Sequence, residues 1–414
     1  MKKILIILVF VLTQILTFKV WSSLPETRQH LLMDLNWKFI QSDVKGAEVP
    51  GFNDNGWRIL NLPHDWSIEG EFKSDAVTKG AGGYLPTGVG WYRKHFTLSS
   101  IAKDQQFWIE FDGVYMNSDV WINGQHLGKH PYGYTSFYYD LTPFIKKGEN
   151  IIAVRVDNSI QPNSRWYSGS GIYRHVWLNI AGPVHIAQWG TYITNPNADS
   201  SSAIISVRTS VENNSSATKK IILQSVVKDE KGKEMAIVET PFSIASSGKT
   251  DIEQSVTIHS PALWSVDRPT LYTLESAVLE GTKPIDHLTS TFGIRKIEFD
   301  RDRGFLLNGK HVKINGVCLH HDAGCLGAAV PEQAWKRRLQ ILKEMGCNAI
   351  RTSHNPPAPE FLDLCDKMGF LVMDEAFDEW VEPKGQVPYG YHNYFAECSQ
   401  SDLLSMIHRD RNHP

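Results

Sequence analysis

The chain has 414 residues, of which 42% are hydrophobic and 21% charged, and its formal net charge at pH 7 is −3. This length gives room for about two to four domains, and the composition excludes collagen-like, low-complexity and intrinsically disordered chains. A net charge so close to zero lacks the basic footprint that binding to a phosphate backbone requires, so we expect no nucleic-acid partner.

The N-terminus has the pattern of a signal peptide. Lys2 and Lys3 precede an uncharged, mostly apolar stretch from Ile4 to Phe18. This stretch is short for a helix that must cross a bilayer with about 20 residues, but it fits the apolar region of a signal peptide. We therefore predict that residues 1–23 are removed, and that the mature protein is periplasmic or extracellular and not held in a membrane.

Residues 27–182 are predicted to form an all-β domain. Runs rich in β-branched and aromatic residues occur at 106–112, 118–123 and 151–156. Asn123-Gly124 follows one such run and is a strong signal for a two-residue hairpin. Many short strands at close spacing predict a β-sandwich of the jelly-roll type.

Residues 183–292 remain strand-rich but contain fewer aromatic residues. Alternation of apolar and polar residues is clear at 203–211 and 220–227, and Asp229 to Gly232 separates two strands. A segment of this length without helical periodicity predicts one immunoglobulin-like β-sandwich.

From residue 293 onward the pattern changes to alternating strands and helices. Gly346 and Gly369 mark the ends of two amphipathic helices. The predicted order is strand 312–319, helix 332–345, strand 348–351, helix 359–368, strand 370–374 and a helix beginning at 401–409. This alternation predicts βα units with a parallel sheet, and so the first part of a (β/α)8 barrel over residues 293–414.

All five cysteines follow residue 317, in the predicted barrel segment. Their number is odd and no Cys-x-x-Cys pair is present, which argues against a disulfide scaffold and against a zinc knuckle. We expect them to be reduced, small hydrophobic residues of the interior.

Polar side chains are concentrated where the predicted barrel strands end, which is where active-site groups lie in such barrels. They are His320, His321 and Asp322 after the first strand, Arg351 and His354 after the second, and Asp374, Glu375, Asp378 and Glu379 after the third. His320 and His321 are neighbours on an extended chain, so one of them should face the site. The same holds for Asp374 and Glu375, one of which is then structural. Arg351 has the alternative of a buried ion-pair partner.

These segments resemble glycoside hydrolase family 2, the family of β-galactosidases and β-glucuronidases. The resemblance covers nearly the whole chain after the signal peptide. In the barrel it is carried by residues 316–322, 348–356, 366–375 and 409–414. In the jelly roll it is carried by 62–66, 90–93, 111–114, 121–124 and 166–174, and at the exit of the immunoglobulin-like domain by 263–265, 269–272 and 292–295.

The resemblance implies a multidomain β plus α/β protein, with a sugar-binding jelly roll, an immunoglobulin-like domain and a TIM barrel. It implies a retaining exo-glycosidase that acts on the terminal β-glycosidic bonds of a glycoside or oligosaccharide, and it is compatible with a homo-oligomer of the full-length protein. It also implies a sugar-binding wall made of His320, Asp322, Arg351, His354, Asp374, Glu375 and Glu379.

Retaining glycosidases use two carboxyl groups about 5–5.5 Å apart, one as nucleophile and one as acid/base. The resemblance places both after the Asn412-His413-Pro414 motif, so neither catalytic Glu is expected before Pro414. Since a complete barrel takes about 250 residues, 293–414 is about half of one, and we expect this chain to be inactive by itself. No cofactor is firmly implied, because the magnesium ligand His that accompanies Glu379 in some β-galactosidases is Val381 here.

Two alternatives stay open. The chain could belong to a carbohydrate-binding protein without catalysis, in which the aromatic-rich segment 84–177 is the functional part. The enzyme could also prefer glucuronides or mannosides, because the residues that would decide specificity lie mostly outside this half of the barrel.

Overall fold

A computed structural model describes residues 28–414; the predicted signal peptide lies outside the described residues. The strands of the first domain are β1 Gln29–Leu32, β2 Trp37–Ile40, β3 Arg58–Leu60, β4 Gly88–Leu98, β5 Gln106–Phe111, β6 Ser118–Ile122, β7 Gln125–His130, β8 Phe137–Asp140, β9 Gly148–Asn158 and β10 Val176–Ala181. They form two sheets, in the orders β1-β10-β5-β8 and β3-β2-β4-β9-β6-β7. The predicted β-sandwich is thus confirmed.

The two sheets enclose a core rich in aromatic rings. Trp37, Tyr92 and Phe111 are fully buried there, and Trp66 packs against Phe39 at a centroid distance of 5.7 Å. Large rings bury much apolar area per residue, which explains why tryptophan is frequent in this part of the chain.

The hairpin predicted at Asn123-Gly124 connects β6 with β7. Both residues have positive φ angles, 50° and 84°, as a type I′ turn requires.

The second domain is a smaller sandwich of antiparallel strands. Its strands are β11 Val184–Ala198, β12 Ser202–Asn213, β13 Lys219–Lys228, β14 Glu234–Ile244, β15 Gly248–His259, β16 Tyr272–Glu280 and β17 Lys283–Phe292. The sheets have the orders β11-β12-β15 and β14-β13-β16-β17. Alternate residues of β12 point into the core, including Ile205, Val207 and Val211, as the apolar-polar alternation predicted.

A short antiparallel sheet leads into the third domain. It contains β18 Ile297–Asp300, β19 Gly304–Leu307 and β20 Lys310–His311. The third domain then has β21 Gly316–Leu319, α1 Glu332–Glu344, β22 Ala349–Thr352, α2 Pro359–Met368, β23 Leu371–Met373 and α3 Phe395–Asp410. Strands β21, β22 and β23 are neighbours in one parallel sheet, as expected for βα units.

The helices α1 and α2 cover one face of this sheet. Trp335 and Leu339 of α1 and Phe361 and Cys365 of α2 lie in one apolar cluster. Gly369 ends α2 with a φ of 72°, and a Cβ there would lie 2.4 Å from the carbonyl oxygen of Val266. Glycine therefore serves both the left-handed helix end and the close approach of the second domain.

Three local expectations were wrong. Strand β21 begins at Gly316, after the predicted start at residue 312. Helix α3 begins at Phe395, before the predicted start at Ser401, because the Phe395 ring packs on Phe377. The cysteines are all free, as expected, but Cys318 and Cys325 are exposed and not in the interior.

Within residues 28–414, none of the helices is both long and apolar enough to cross a bilayer.

The carboxylate of Asp65 joins the first domain to the third. It accepts hydrogen bonds from the backbone of Ser170 at 2.9 Å and of Ala328 at 2.9 Å. Gly169 and Gly327 flank it so closely that a Cβ on either would lie 2.6 or 2.5 Å from Oδ2 of Asp65. The two domains therefore meet at this buried carboxylate.

Trp264 makes the corresponding contact between the second and third domains. Its side chain is fully buried, and Nε1 donates a hydrogen bond of 2.9 Å to the carbonyl of Asp366 in α2. Asn308 donates a hydrogen bond to the Trp264 carbonyl, and the guanidinium of Arg295 lies over the ring.

We expect Trp264→Ala to lower the free energy of unfolding by about 3–5 kcal/mol, because it removes a large buried ring and leaves a cavity between two domains. Urea unfolding followed by tryptophan fluorescence and circular dichroism measures this. Trp380→Ala is the matched control, since that ring is 64% exposed. It should change the unfolding free energy by less than about 0.5 kcal/mol. Equal losses in both variants would contradict the role given to Trp264.

Candidate substrate-binding site

Three side chains from two adjacent strand ends form a compact polar cluster. Arg351 on β22 donates from Nε to Oε1 of Glu375, which follows β23. His354 Nδ1 lies 3.0 Å from Oε2 of Glu375 and 3.1 Å from Nη2 of Arg351. Because the carboxyl ends of parallel strands meet at one edge of the sheet, residues distant in sequence converge there. The sugar-binding role of these residues remains a prediction.

Neighbouring groups fix the cluster's orientation and charge. The backbone N–H of Glu375 donates to the Thr352 hydroxyl at 3.1 Å, and that hydroxyl lies 3.3 Å from the carbonyl of Met373. The Cys318 thiol and then the Glu375 carboxylate raise the pKa of Arg351, so the guanidinium stays charged. Arg351 in turn lowers the pKa of the Cys318 thiol.

An aromatic ring from the jelly roll completes the cluster. The ring of Trp166 lies 5.1 Å from that of His320 and 5.3 Å from that of His354, measured between centroids. The two histidine rings are 5.7 Å apart and nearly perpendicular. Trp166 is not among the residues that the sequence predicts for the site, and the motif 166–174, which begins with it, is the signal in the sequence that points to it.

His320 and His321 point in different directions, as the alternation of an extended chain predicted. His320 faces Trp166, whereas His321 is buried against the jelly roll with Nε2 3.2 Å from the Ser168 carbonyl. Burial lowers the pKa of His321 to about 4, so it is neutral at pH 7. Asp322 belongs to the loop after β21, where its carboxylate accepts the N–H of Gly324 at 3.1 Å.

Asp374 and Glu375 also face opposite ways. Glu375 belongs to the cluster, whereas the buried carboxyl group of Asp374 lies near the charges of Asp410 and Arg409. Burial, followed by the charge of Asp410, raises the pKa of Asp374 to about 8. The structure therefore does not bring Asp374 into the cluster, and a structural role fits its surroundings better than sugar binding.

Asp378 and Glu379 are each engaged by other groups. Arg165 of the jelly roll holds Asp378 with two hydrogen bonds, of 2.9 and 2.5 Å. Glu379 is buried, with Oε2 2.9 Å from His392 Nδ1 and Oε1 accepting the N–H of Lys384. A divalent ion at Glu379 would have to displace these partners, and Val381 offers no ligand atom. The residues present do not fit a magnesium site here.

Three models of one protein family match the chain in sequence. The model of the family 2 sugar-binding domain of the glycosyl hydrolases matches residues 81–182. The model described as glycosyl hydrolases family 2 matches 184–295, and that of the family 2 TIM barrel domain matches 300–414. The chain belongs to glycoside hydrolase family 2. The fold class expected from the sequence is confirmed: two β-sandwiches precede part of a TIM barrel.

The family 2 chain is similar in sequence to several curated glycosidases. β-Galactosidase BoGH2A of Bacteroides ovatus is 50% identical over 95% of this chain and 46% of its own length. A β-glucuronidase of Formosa agariphila is 33% identical over 85% of this chain and 38% of its own length. The chain thus spans about half the length, or less, of these relatives.

Two solved structures are also similar. A family 2 member from Bacteroides cellulosilyticus has 42% identity and a TM-score of 0.91, covering 93% of this chain and 50% of that one. A β-glycosidase from Bacteroides vulgatus has 44% identity and a TM-score of 0.88, covering 93% and 49%.

We expect the family 2 chain to lose stability as pH rises from 6.5 to 8. In the upper part of this window His321 is neutral in both states, because its pKa is about 6.5 when unfolded and about 4 when folded. Asp374 still binds a proton when folded and is ionised when unfolded. The folded state then binds more protons, so the unfolding free energy falls, by about 1 kcal/mol per pH unit from this group. Asp112, whose pKa burial raises to about 7, acts in the same direction at the lower end of the window.

Asp374→Asn should reduce this slope, because an amide does not titrate. Urea titrations at pH 6.5, 7.2 and 8 measure it. Asp104→Asn is the control, since Asp104 is exposed in a loop with a φ of 59° that asparagine also tolerates. An unchanged slope in Asp374→Asn would show that the carboxyl group is ionised in the folded protein.

Proposed function

We propose that the protein carrying this chain is a retaining exo-glycosidase of the β-galactosidase type, which hydrolyses terminal β-glycosidic bonds in carbohydrate catabolism. The cluster of Arg351, His354 and Glu375 beneath the ring of Trp166 carries this proposal. It combines hydrogen-bonding groups that can read sugar hydroxyls with an aromatic face that can cover a pyranose ring. The 50% identity to a β-galactosidase supports the same reading.

Residues 28–414 supply the sugar-binding wall of this enzyme. Retaining hydrolysis needs two carboxyl groups on the two sides of the scissile bond. The strand-end cluster has one carboxylate, Glu375, and Arg351 and His354 hold it. We assign His354 to hydrogen bonding with substrate hydroxyls, and Arg351 to fixing the position and charge of Glu375. His320 and Asp322 extend the same wall at the end of β21.

Charge favours a neutral sugar over a glucuronide. A glucuronate carboxylate needs an uncompensated cation in its subsite. Among the described residues next to the cluster, the guanidinium of Arg351 is paired with Glu375, and that of Arg165 is paired with Asp378. Neither is left for a substrate carboxylate, so this half of the site favours a neutral sugar over the glucuronides that the name of a related β-glucuronidase implies.

Export completes the proposal. The basic start and apolar stretch of residues 1–23 support delivery to the periplasm or the cell exterior, where oligosaccharides are available as substrates.

The expected activity is hydrolysis of nitrophenyl β-D-galactopyranoside by the protein that carries this chain, with retention of the anomeric configuration in proton NMR of the first product. The matching β-glucuronide and β-mannoside should be turned over at least about tenfold more slowly, because discrimination by a few hydrogen bonds is worth a few kcal/mol. Faster turnover of the glucuronide would contradict the proposed preference for galactosides. The absence of turnover for every glycoside tested would contradict the proposed glycosidase activity.

His354→Ala should lower kcat/KM for the preferred glycoside on the order of 100-fold, since it removes a hydrogen-bonding group that acts on the distorted sugar. The decrease should appear mostly in kcat. His311→Ala is the matched control: His311 lies on β20, is exposed and takes no part in the hydrogen bonds of the cluster. Equal activity of His354→Ala and wild type would remove His354 from the sugar-binding wall.

A further inference from the structure

A large cleft lies where the three domains meet, away from the strand-end cluster. Its volume is about 470 Å³, which is within the range of small-molecule sites. All three domains contribute to its wall, among others through His30, Glu110, Trp189, Thr191, Asp363 and His413. None of these residues belongs to the sugar-binding wall described above.

The charged groups of the cleft compensate one another. Its ion pairs are Arg28 with Asp286, Arg409 with Asp410 and His413 with Asp366. Glu110 accepts hydrogen bonds from the amides of Asn179 and Gln188. A phosphate or a carboxylate ligand would therefore meet no unpaired cation among these groups, and the lining suits a neutral ligand with many hydroxyl groups.

Trp189 is held in this wall by an unusual backbone. It has a φ of 49°, and it lies in an irregularity of β11 between Ile186 and Thr191, where the pairing with β12 shifts. A bulky residue rarely adopts this conformation, and bulges commonly redirect a side chain out of the ladder. Arg411 holds the Trp189 carbonyl with a hydrogen bond of 2.9 Å. The indole is thus fixed at the cleft, where its face can cover a sugar ring.

Thr191 lines the same cleft and has an unused hydroxyl. Oγ1 is buried and has no hydrogen-bond partner among the described residues. A buried hydroxyl without a partner costs stability, so a ligand that satisfies it gains affinity.

We propose that this three-domain cleft is an accessory site for a neutral mono- or disaccharide. Trp189 covers one face of the sugar, and the amide and carboxylate groups around Glu110 and Asp363 bind its hydroxyls. The site goes beyond the proposed hydrolysis, because binding here needs neither the strand-end cluster nor any chemical step.

A metal ion is the competing occupant. Asp363, Asp366 and His413 offer ligand atoms within 4.8 Å of one another. However, Asp366 and His413 already pair with each other at 2.6 Å, so an ion would have to break this contact.

The test is calorimetric titration of the 414-residue protein with methyl β-D-galactopyranoside and with lactose, in buffer with a chelator. The His354→Ala variant serves as background, because it weakens any binding at the strand-end cluster. We expect one saturable binding event to persist in this background. Adding Trp189→Gly, which keeps the left-handed backbone unstrained, should raise its Kd about tenfold.

Thr191→Val separates binding from folding. It removes a hydroxyl without a partner, so the thermal midpoint should stay unchanged or rise, while the Kd for the sugar rises about threefold to tenfold. Thr209→Val is the matched control: Thr209 pairs with Thr191 across the strands and has an equally buried, unpartnered hydroxyl, but it does not line the cleft. This control should leave the Kd unchanged.

Three outcomes would overturn the accessory site. One is the absence of sugar binding in the His354→Ala background at millimolar concentrations. Another is binding that Trp189→Gly and Thr191→Val leave unaffected. The third is stoichiometric binding of Ca²⁺ or Zn²⁺, without chelator, that Asp363→Asn abolishes. All three readouts are independent of hydrolysis. Because the 414-residue chain is expected to be inactive by itself, the proposed enzyme is tested separately, by hydrolysis in the protein that carries this chain, and its failure there would leave this site in place.

Discussion

The arrangement of the domains depends on one buried carboxylate, that of Asp65. It accepts backbone hydrogen bonds from Ser67 at 3.0 Å, Ser170 at 2.9 Å and Ala328 at 2.9 Å, and one from the Tyr167 hydroxyl at 2.6 Å. Burial raises the pKa of Asp65, while the four donors favour its charged form. Hydrogen bonds to an ionised acceptor are among the stronger ones in proteins, and here they link two jelly-roll loops to the barrel segment.

The candidate site follows from this link. Tyr167 and Ser170 belong to the loop that carries Trp166, and Ala328 belongs to the connection after β21, which begins with His320. Fixing the two loops on one carboxylate therefore sets the distance between the Trp166 ring and the barrel histidines. A further hydrogen bond joins the jelly roll to the barrel segment: the Tyr132 hydroxyl donates to the Ala376 carbonyl at 2.6 Å. Sugar recognition in this protein is a property of two domains together.

Local sequence patterns predicted much of this structure, and contacts between distant residues account for what they missed. Asn123-Gly124 predicts its turn from two residues alone. The spacing of the apolar residues in α2 and the glycine at 369 predict where that helix begins and ends. The rule that parallel strands end at one edge predicted that Glu375 lies beside Arg351 and His354. Trp166 could not be placed in the same way, because its position depends on Asp65, 101 positions earlier, and on a loop after residue 320. Periodicity contains no information on such pairings.

The two glycines beside Asp65 restrict how this architecture can change. Because a side chain at Gly169 or at Gly327 would collide with the Asp65 carboxylate, the three segments around it must keep their shapes jointly. A sugar-binding jelly roll transplanted from a relative would then seat properly only if its 65–67 and 167–170 loops were exchanged together with the barrel connection at 327–328. The sequence divides into separate domains, but these domains can be recombined only at junctions that preserve the contact between Asp65, Gly169 and Gly327.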